Sequence, residues 1–307
     1  MKRIRMIGYD LDGTLLTEKK ELTNRTKSIL ERIADTGAIL VAATGRALSG
    51  IPEDVKNLRG ADYFITANGA GIYRRRSAYL SKHMASDFRT GGIHEGASSE
   101  GTDEDIYELI LERNIDRTRG LEIMRELAKL RVMPDPFIEG RCYMLGDKAY
   151  LVDDMDVTPQ MKAYIRSSRT LIDDMETFLS DKDMQKITIN FATDSSGERI
   201  DLDEVLEIVE RYPEFNAVTG GINNIEISDS AATKGDAMMW LAERLGIDRE
   251  QIVTFGDSEN DITMIKMAGT GVAMGNALDE VKAAADAVTQ TNDDDGVAIY
   301  LENICQE

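Results

Sequence analysis

Two acids two positions apart, Asp10 and Asp12, close the first hydrophobic run of the chain in Tyr9-Asp10-Leu11-Asp12-Gly13-Thr14. Residues i and i+2 of an extended strand lie on one side. Gly13 permits a sharp turn after them, so both carboxylates can converge on one point. Convergent carboxylates attract a hard divalent cation such as Mg2+, and a carboxylate can also attack phosphorus. The plain alternative is an Asp-Gly turn with solvated acids.

Similar polar residues close other apolar runs. Ile39-Leu40-Val41-Ala42-Ala43 leads into Thr44-Gly45-Arg46, and Tyr63-Phe64-Ile65-Thr66 into Asn68-Gly69. Ile252-Val253-Thr254-Phe255 leads into Gly256-Asp257-Ser258-Glu259-Asn260-Asp261, and Lys234 precedes a glycine that opens a helical pattern. Together these types suit phosphoryl transfer, where catalysis is mostly positioning and charge neutralisation. Asp10 and Asp257 can offer carboxylate oxygens to Mg2+. The Thr44 hydroxyl can hold a phosphoryl oxygen, and Lys234 can supply positive charge and help keep Asp10 ionised. Singly, each has a plainer reading: a helix cap for Thr44, a turn for Asn68, a surface lysine for Lys234 and an acidic loop for 257–261.

The elements that must position these residues follow from hydrophobic period. Ile4 to Tyr9 is short, apolar and β-prone, as in a strand buried on both faces. Thr26, Ile29, Leu30 and Ile33 have helical spacing, with Gly37 as a stop. Strand–helix–strand order implies a parallel sheet with right-handed crossovers, whose ligand sites lie beyond the carboxyl ends of the strands. The middle of the chain differs. Residues 86–104 are rich in Gly, Ser, Asp and Glu and read as a long loop or partly disordered insertion. Ile123, Met124, Leu127 and Leu130 suggest a helix, and Arg141–Leu145 and Lys148–Val152 a hairpin about Gly146-Asp147. Ile187, Ile189 and Phe191 alternate as a strand, and Leu202, Val205, Leu206 and Val209 repeat as a helix. Short strands are expected near 215–219 and 223–227. After residue 230 the parallel pattern returns, with Trp240 and the nearby methionines read as core. The expected fold class is therefore α/β, a Rossmann-like parallel-sheet core (1–84 and 228–307) carrying an inserted α+β cap domain (85–227).

Composition bounds the rest. The chain has 307 residues, 42% hydrophobic and 30% charged, as in soluble globular proteins. No apolar stretch is long enough to span a bilayer. Met1-Lys2-Arg3 runs directly into the first strand, so no signal peptide and a cytoplasmic location are expected. A net charge of -20 argues against nucleic-acid partners, and any phosphate site must draw on local Mg2+, Lys and Arg. Cys142 and Cys305 lack metal-site spacing and are expected to be free. His83 and His94 are the only histidines, which excludes a histidine-rich metal site. Arg74-Arg75-Arg76 and Asp293 to Asp295 are read as solvated segments.

Asp10-Leu11-Asp12-Gly13-Thr14, Thr44, Lys234-Gly235 and Gly256-Asp257-Ser258-Glu259-Asn260-Asp261 resemble the four ordered motifs of the haloacid dehalogenase-like hydrolase superfamily. Ala43-Thr44-Gly45-Arg46, Thr66-Ala67-Asn68-Gly69-Ala70 and Asn292 through Ala298 resemble its Cof-type phosphatases, which carry a C2-type (IIB) cap between the second and third motifs. The resemblance covers nearly the whole chain. It implies that Asp10 is the nucleophile and forms an aspartyl-phosphate, and that Asp12 is the general acid and base. It implies Mg2+ held by Asp10, the Asp12 backbone carbonyl and Asp257, with Asp261 in support, and a phosphoryl group bound by Thr44 and Lys234. Asn68 and Asn260 are similar to residues near the substrate and metal loop, and Gly45 and Arg46 to those at the mouth of the site. The second acid, Asp12, separates phosphatases from the superfamily's dehalogenases, which lack it.

The function expected is a Mg2+-dependent phosphatase of small phosphorylated metabolites, sugar phosphates foremost. A phosphomutase or a non-catalytic sugar-phosphate sensor on the same scaffold are the alternatives. A cap that opens and closes would pivot near 82–86 and 226–230. Oligomeric state is not legible.

Overall fold

The computed structural model describes residues 4–76, 102–219 and 223–306. His83, His94, the expected pivot at 82–86 and most of the 86–104 segment lie outside the described residues.

In chain order the strands are β1 (Met6–Tyr9), β2 (Ile39–Ala43), β3 (Tyr63–Thr66), β4 (Gly71–Arg75), β5 (Tyr107–Glu112), β6 (Val132–Ile138), β7 (Arg141–Leu145), β8 (Arg169–Ile172), β9 (Lys186–Phe191), β10 (Phe215–Thr219), β11 (Asn224–Asp229), β12 (Ile252–Gly256), β13 (Thr270–Ala273) and β14 (Ala287–Val288). They form an eight-stranded sheet, β14-β13-β12-β1-β2-β3-β4-β5, and a six-stranded sheet, β10-β11-β9-β6-β7-β8. The first is parallel from β14 to β3, and β4 and β5 extend it antiparallel. The architecture is α/β, as expected.

β1 lies between β12 and β2, where the strand order reverses. It is buried on both faces. Ile7 and Tyr9 pack with residues of the helices Asn24–Ala34 and Gly296–Gln306, whereas Met6 packs with those of the helix Lys234–Arg244. A Cβ on Gly8 would stand 2.4 Å from Met238 Cε, so the bare backbone makes room for that helix. The helix Asn24–Ala34 buries Thr26, Ile29, Leu30 and Ile33, the four residues whose spacing predicts it.

The second sheet is antiparallel except for β7 beside β8. Its strands alternate sharply. Ile187, Ile189, Phe191, Ile225 and Ile227 pack with residues of the helices Arg117–Leu127 and Leu202–Glu210. Lys186, Thr188, Asn190, Asn224 and Glu226 occupy the opposite face, with Thr188 paired to Glu226 and Asn190 to Asn224.

Several expectations need correction. β5 belongs to the first sheet, so the passage to the second sheet falls after Glu112 and not at 85. The hairpin about Gly146-Asp147 does not form, because Gly146–Asp154 is 3-10 helix. β7 instead turns back on β6 through Glu139 and Gly140, both at positive φ. The expected pivot at 226–230 is mostly paired strand, since Glu226 to Ser228 bond with β9 and β10. Arg75 is buried, over the Tyr107 ring and bonded to the Lys56 carbonyl. Asp293 and Asp294 are exposed, as expected of a solvated segment, but Asp295 is half-buried and accepts from the Thr23 and Thr26 hydroxyls, while Asp293 accepts from the Glu18 backbone. Among the described residues no helix is long and apolar enough to cross a membrane.

Gly69 sits at φ +104°, and a Cβ there would lie 2.2 Å from the carbonyl oxygen of Thr233, the cap of the Lys234 helix. Gly246 is also left-handed, at φ +61°, with open space around it. Gly69→Ala is expected to destabilise by more than about 2 kcal/mol and Gly246→Ala by about 1 kcal/mol, as read from urea unfolding midpoints.

Candidate active site

The carboxyl ends of β1, β2, β3 and β12 meet on one rim of the first sheet. Asp10 leaves β1 with its N–H bonded to Phe255 O at 3.1 Å, and the turn behind it closes through Leu15 N–H to Asp10 O at 3.2 Å. Gly13 takes φ +82°, and a Cβ there would meet Asp257 Oδ2 at 2.4 Å. The Asp-Gly turn thus brings the β1 and β12 loops into contact.

Lys234 begins its helix fully buried and donates from Nζ to Asp10 Oδ1 and Asp261 Oδ1, both at 2.7 Å. Burial opposes its charge, but the two carboxylates outweigh burial and hold the ammonium above its ordinary pKa. Burial pushes Asp10 well above the usual carboxylate range; Lys234 opposes this while Asp261, Asp257 and Asp12 add to it. Asp257 is pushed up to about 6, by burial and then by Asp261, against a 2.7 Å hydrogen bond from the Thr14 hydroxyl.

Asp10, Asp257 and Asp261 bring oxygens within 4.8 Å of one another. Three carboxylates thus share one buried ammonium, an excess of negative charge that an oxygen-seeking divalent cation would neutralise. The donor set fits Mg2+. Asp261 is already heavily committed: Oδ2 accepts from the backbone N–H of Asp257 and of Ser258, both at 3.0 Å, while Oδ1 takes Lys234. It therefore shapes the loop that presents Asp257. Asp10 and Asp257 are the freer ligands.

The Asp12 carboxylate points elsewhere, so the two side chains of the first motif do not converge on one point. Arg46 binds it through Nε to Oδ2 at 2.6 Å and Nη2 to Oδ1 at 2.7 Å, and Lys20 adds 2.7 Å to Oδ1. Burial alone would raise this carboxyl, but Arg46 and then Lys20 hold it well below the usual range. Thr44 is buried at the end of β2 and its hydroxyl accepts from Arg46 N–H at 3.2 Å.

Gly45, Asn68 and Asn260 join the rim to the second sheet. Lys186 Nζ donates to Gly45 O and to Glu226 Oε1, both at 2.6 Å. The other Glu226 oxygen accepts from Asn68 Nδ2 at 2.5 Å, and Asn68 Oδ1 accepts from Asn260 Nδ2 at 3.1 Å. A carboxylate only accepts, so Glu226 fixes the Asn68 amide, which fixes Asn260 in turn. Asn68 takes φ +59°, a conformation Asn tolerates better than most residues.

A cavity of about 730 Å3 runs from Asp10 and Asp257 to the polar face of the second sheet, where Arg169, Thr188 and Asn190 line it. Arg169 pairs with buried Asp135 at 3.2 Å, and Tyr164 stands between the Arg46 and Arg169 guanidinium groups, 4.8 and 5.6 Å from its ring centre. Cys142, in the same wall, is free, with its thiol pushed up to about 12 by burial. Sequence reading missed Lys186, Glu226, Asp135 and Arg169. The signal existed in the polar halves of Lys186-Ile187-Thr188-Ile189-Asn190-Phe191 and Asn224-Ile225-Glu226-Ile227-Ser228, which mirror the apolar halves.

Fold and rim together define a hydrolase of α/β type built around a strand-end aspartate. The chain belongs to the haloacid dehalogenase-like hydrolase family, whose model matches residues 7–301. It is 28% identical to phosphatase YwpJ of Bacillus subtilis over 98% of this chain and 100% of that one. It is also 28% identical to the 5-amino-6-(5-phospho-D-ribitylamino)uracil phosphatase YcsE of the same organism, over 96% and 93%. A solved haloacid dehalogenase-like hydrolase from B. subtilis superposes with a TM-score of 0.75 at 26% identity, covering 98% of this chain and 100% of that chain.

Burial pushes the Asp135 carboxyl up to about 6, against Arg169 and Asn190. An unfolded aspartate titrates near 4, so between about pH 4 and 6 the folded protein holds a proton that the unfolded chain has lost. Stability from this group therefore falls as pH rises through that window, by an amount on the order of 3 kcal/mol. The difference in Tm between the wild type and Asp135→Asn should vary across that window and level off above it.

Proposed function

We propose that this protein is a Mg2+-dependent phosphatase of small phosphorylated metabolites, sugar phosphates foremost, acting through an aspartyl-phosphate on Asp10. The observation that carries the reading is the Asp10 carboxylate at the tip of β1. It is bonded to Lys234, adjoins Asp257 and Asp261, and opens into the cavity. Mg2+ held by Asp10 and Asp257 would neutralise charge on the phosphoryl oxygens.

Asp10 Oδ1 is held by Lys234, so the carboxylate is fixed before substrate arrives. Attack by Asp10 on phosphorus displaces the leaving oxygen, which takes a proton from Asp12. Asp12 then takes a proton from the water that hydrolyses the acyl phosphate. Thr44 and Lys234 orient the phosphoryl group. Because Arg46 and Lys20 hold Asp12 ionised, its acid role requires that they loosen as substrate enters. An incoming phosphate is the natural competitor for Arg46. The second sheet forms the roof of the cavity and acts as the cap, with Glu226 and Lys186 as its grip on the rim. The named activities of YwpJ and YcsE support the phosphatase reading. Intact Asp10 and Asp12 disfavour a sensor.

Asp10→Asn should abolish phosphate release from para-nitrophenyl phosphate in Mg2+ while leaving metal-free Tm unchanged or higher, because it thins a repulsive carboxylate cluster. Asp12→Asn should slow turnover of a sugar phosphate by roughly a hundredfold or more. Rapid phosphate release by Asp10→Asn would overturn the covalent mechanism, and a sugar-phosphate isomer in place of free phosphate would indicate a mutase.

A further inference from the structure

The catalytic chemistry gives no task to the run from Asn292 to Ala298, yet its first residue holds the loop that carries Asp10. Asn292 is buried, and its Nδ2 donates to Leu16 O at 2.9 Å. Its backbone N–H donates to Asn276 Oδ1 at 3.0 Å, and Asn276 Nδ2 donates to Gly13 O at 2.8 Å. A backbone N–H only donates and a carbonyl only accepts, so both ends of the Asn276 amide are fixed in sense. Neither Asn276 nor Asn292 lines the cavity.

Asn276 stands in the short segment from Met274 to Leu278, which joins β13 to the helix Asp279–Ala284. The same segment holds the loop that carries Asp257. Met274 N–H donates to Gly256 O and Leu278 N–H to Asp257 O, both at 3.0 Å. One short stretch therefore bonds to both carboxylate-bearing loops from outside the cavity. The two loops also meet directly. The Thr14 hydroxyl donates to Asp257 Oδ1 at 2.7 Å, and a Cβ on Gly13 would stand 2.4 Å from Asp257 Oδ2. With the loops this close, a small shift of Gly13 alters the separation of the Asp10 and Asp257 carboxylates. Mg2+ demands near-ideal octahedral geometry with bonds of about 2.0–2.1 Å, so it is sensitive to such a shift. Groups that orient the ligands of a metal from outside typically carry about tenfold to hundredfold in its affinity.

We propose that Asn276 is a positioning residue for the Mg2+ site: its amide, set by Asn292, fixes the Gly13 carbonyl and through it the spacing of the Asp10 and Asp257 loops. The proposal deepens the phosphatase reading and rests on the Mg2+ site of that reading. Asn276 acts through Gly13 and touches neither metal nor substrate. Its side chain is exposed, so its loss should burden the metal site far more than the fold.

The test titrates Mg2+ calorimetrically into the full chain as wild type, Asn276→Ala and Asn276→Asp. Asn276→Ala removes the donor to Gly13 and is expected to weaken Mg2+ binding about tenfold. Asn276→Asp keeps an acceptor for the Asn292 N–H but sets a carboxylate oxygen against the Gly13 carbonyl. It is expected to weaken binding at least as much, although its added negative charge alone would strengthen it. Metal-free Tm should stay within about 3 °C of the wild type in both variants, while the rise in Tm on adding Mg2+ shrinks. In phosphate release from para-nitrophenyl phosphate, Asn276→Ala should need about tenfold more Mg2+ for half its maximal rate, with kcat at saturating Mg2+ within about threefold of the wild type. Unchanged Mg2+ affinity in Asn276→Ala, or tighter binding in Asn276→Asp, would overturn the proposal. A wild type that binds no Mg2+ would overturn it together with the Mg2+ site. If Mg2+ binds but no ester releases phosphate, the phosphatase reading fails instead, and the calorimetric ratio still decides the role of Asn276.

Discussion

One ammonium group organises the rim of this protein. Lys234 Nζ reaches Asp10 from the β1 loop and Asp261 from the β12 loop, so the two central strand ends are tied at one buried point. Losing the lysine would strand two buried carboxylates at once, a loss that typically costs about 3–5 kcal/mol. Much nearby detail serves the placement of this lysine. Thr233 caps its helix, Gly69 lets the β3 turn press against Thr233, and Gly235 allows the backbone at Thr263 to approach, where a Cβ would lie 2.6 Å away. The acids then exceed the bases, an imbalance that a divalent cation would neutralise.

The rim was legible because most of its residues follow an apolar run, where hydrophobic period and turn chemistry both mark a boundary. Asp10, Thr44, Asn68 and Asp257 were found at strand ends for that reason. Lys234 was marked by the glycine after it. The second sheet was harder to read. Asp135, Arg169, Lys186 and Glu226 lie on four separate strands, and only register brings them together. Local pattern does not encode register between strands this far apart in sequence. The misread hairpin has a similar cause: Gly146-Asp147 has good turn chemistry, yet β7 finds its partner through Glu139-Gly140 on its other side. The arginine run misled because Arg75 snorkels its charge to backbone carbonyls while its stem and plane pack on Tyr107.

The two sheets meet through a small apolar cluster of Ala47, Ala67, Ala70, Phe137, Cys142 and Ala232, and through directed polar contacts. Lys186 and Glu226 grip the Gly45 carbonyl and Asn68, and Asn68 in turn holds Asn260 beside the acidic loop. A dry apolar seam would bind more indiscriminately. Directed, charge-assisted bonds fix one relative placement and weaken steeply when geometry drifts. The cavity wall formed by the second sheet and the assembly of the rim are therefore mechanically linked.

The pairing order also sets a timetable for synthesis. β1 precedes its partner β12 by over 240 positions, and the loop after Asp10 is held by Asn292, Asp293 and Asp295. The second sheet draws all its strands from one unbroken stretch between β5 and β12. A ribosome would thus add more than 240 residues after the central strand before that strand has both neighbours. Until then one edge of this fully buried strand stays open, the condition in which nascent chains most need protection from pairing with one another.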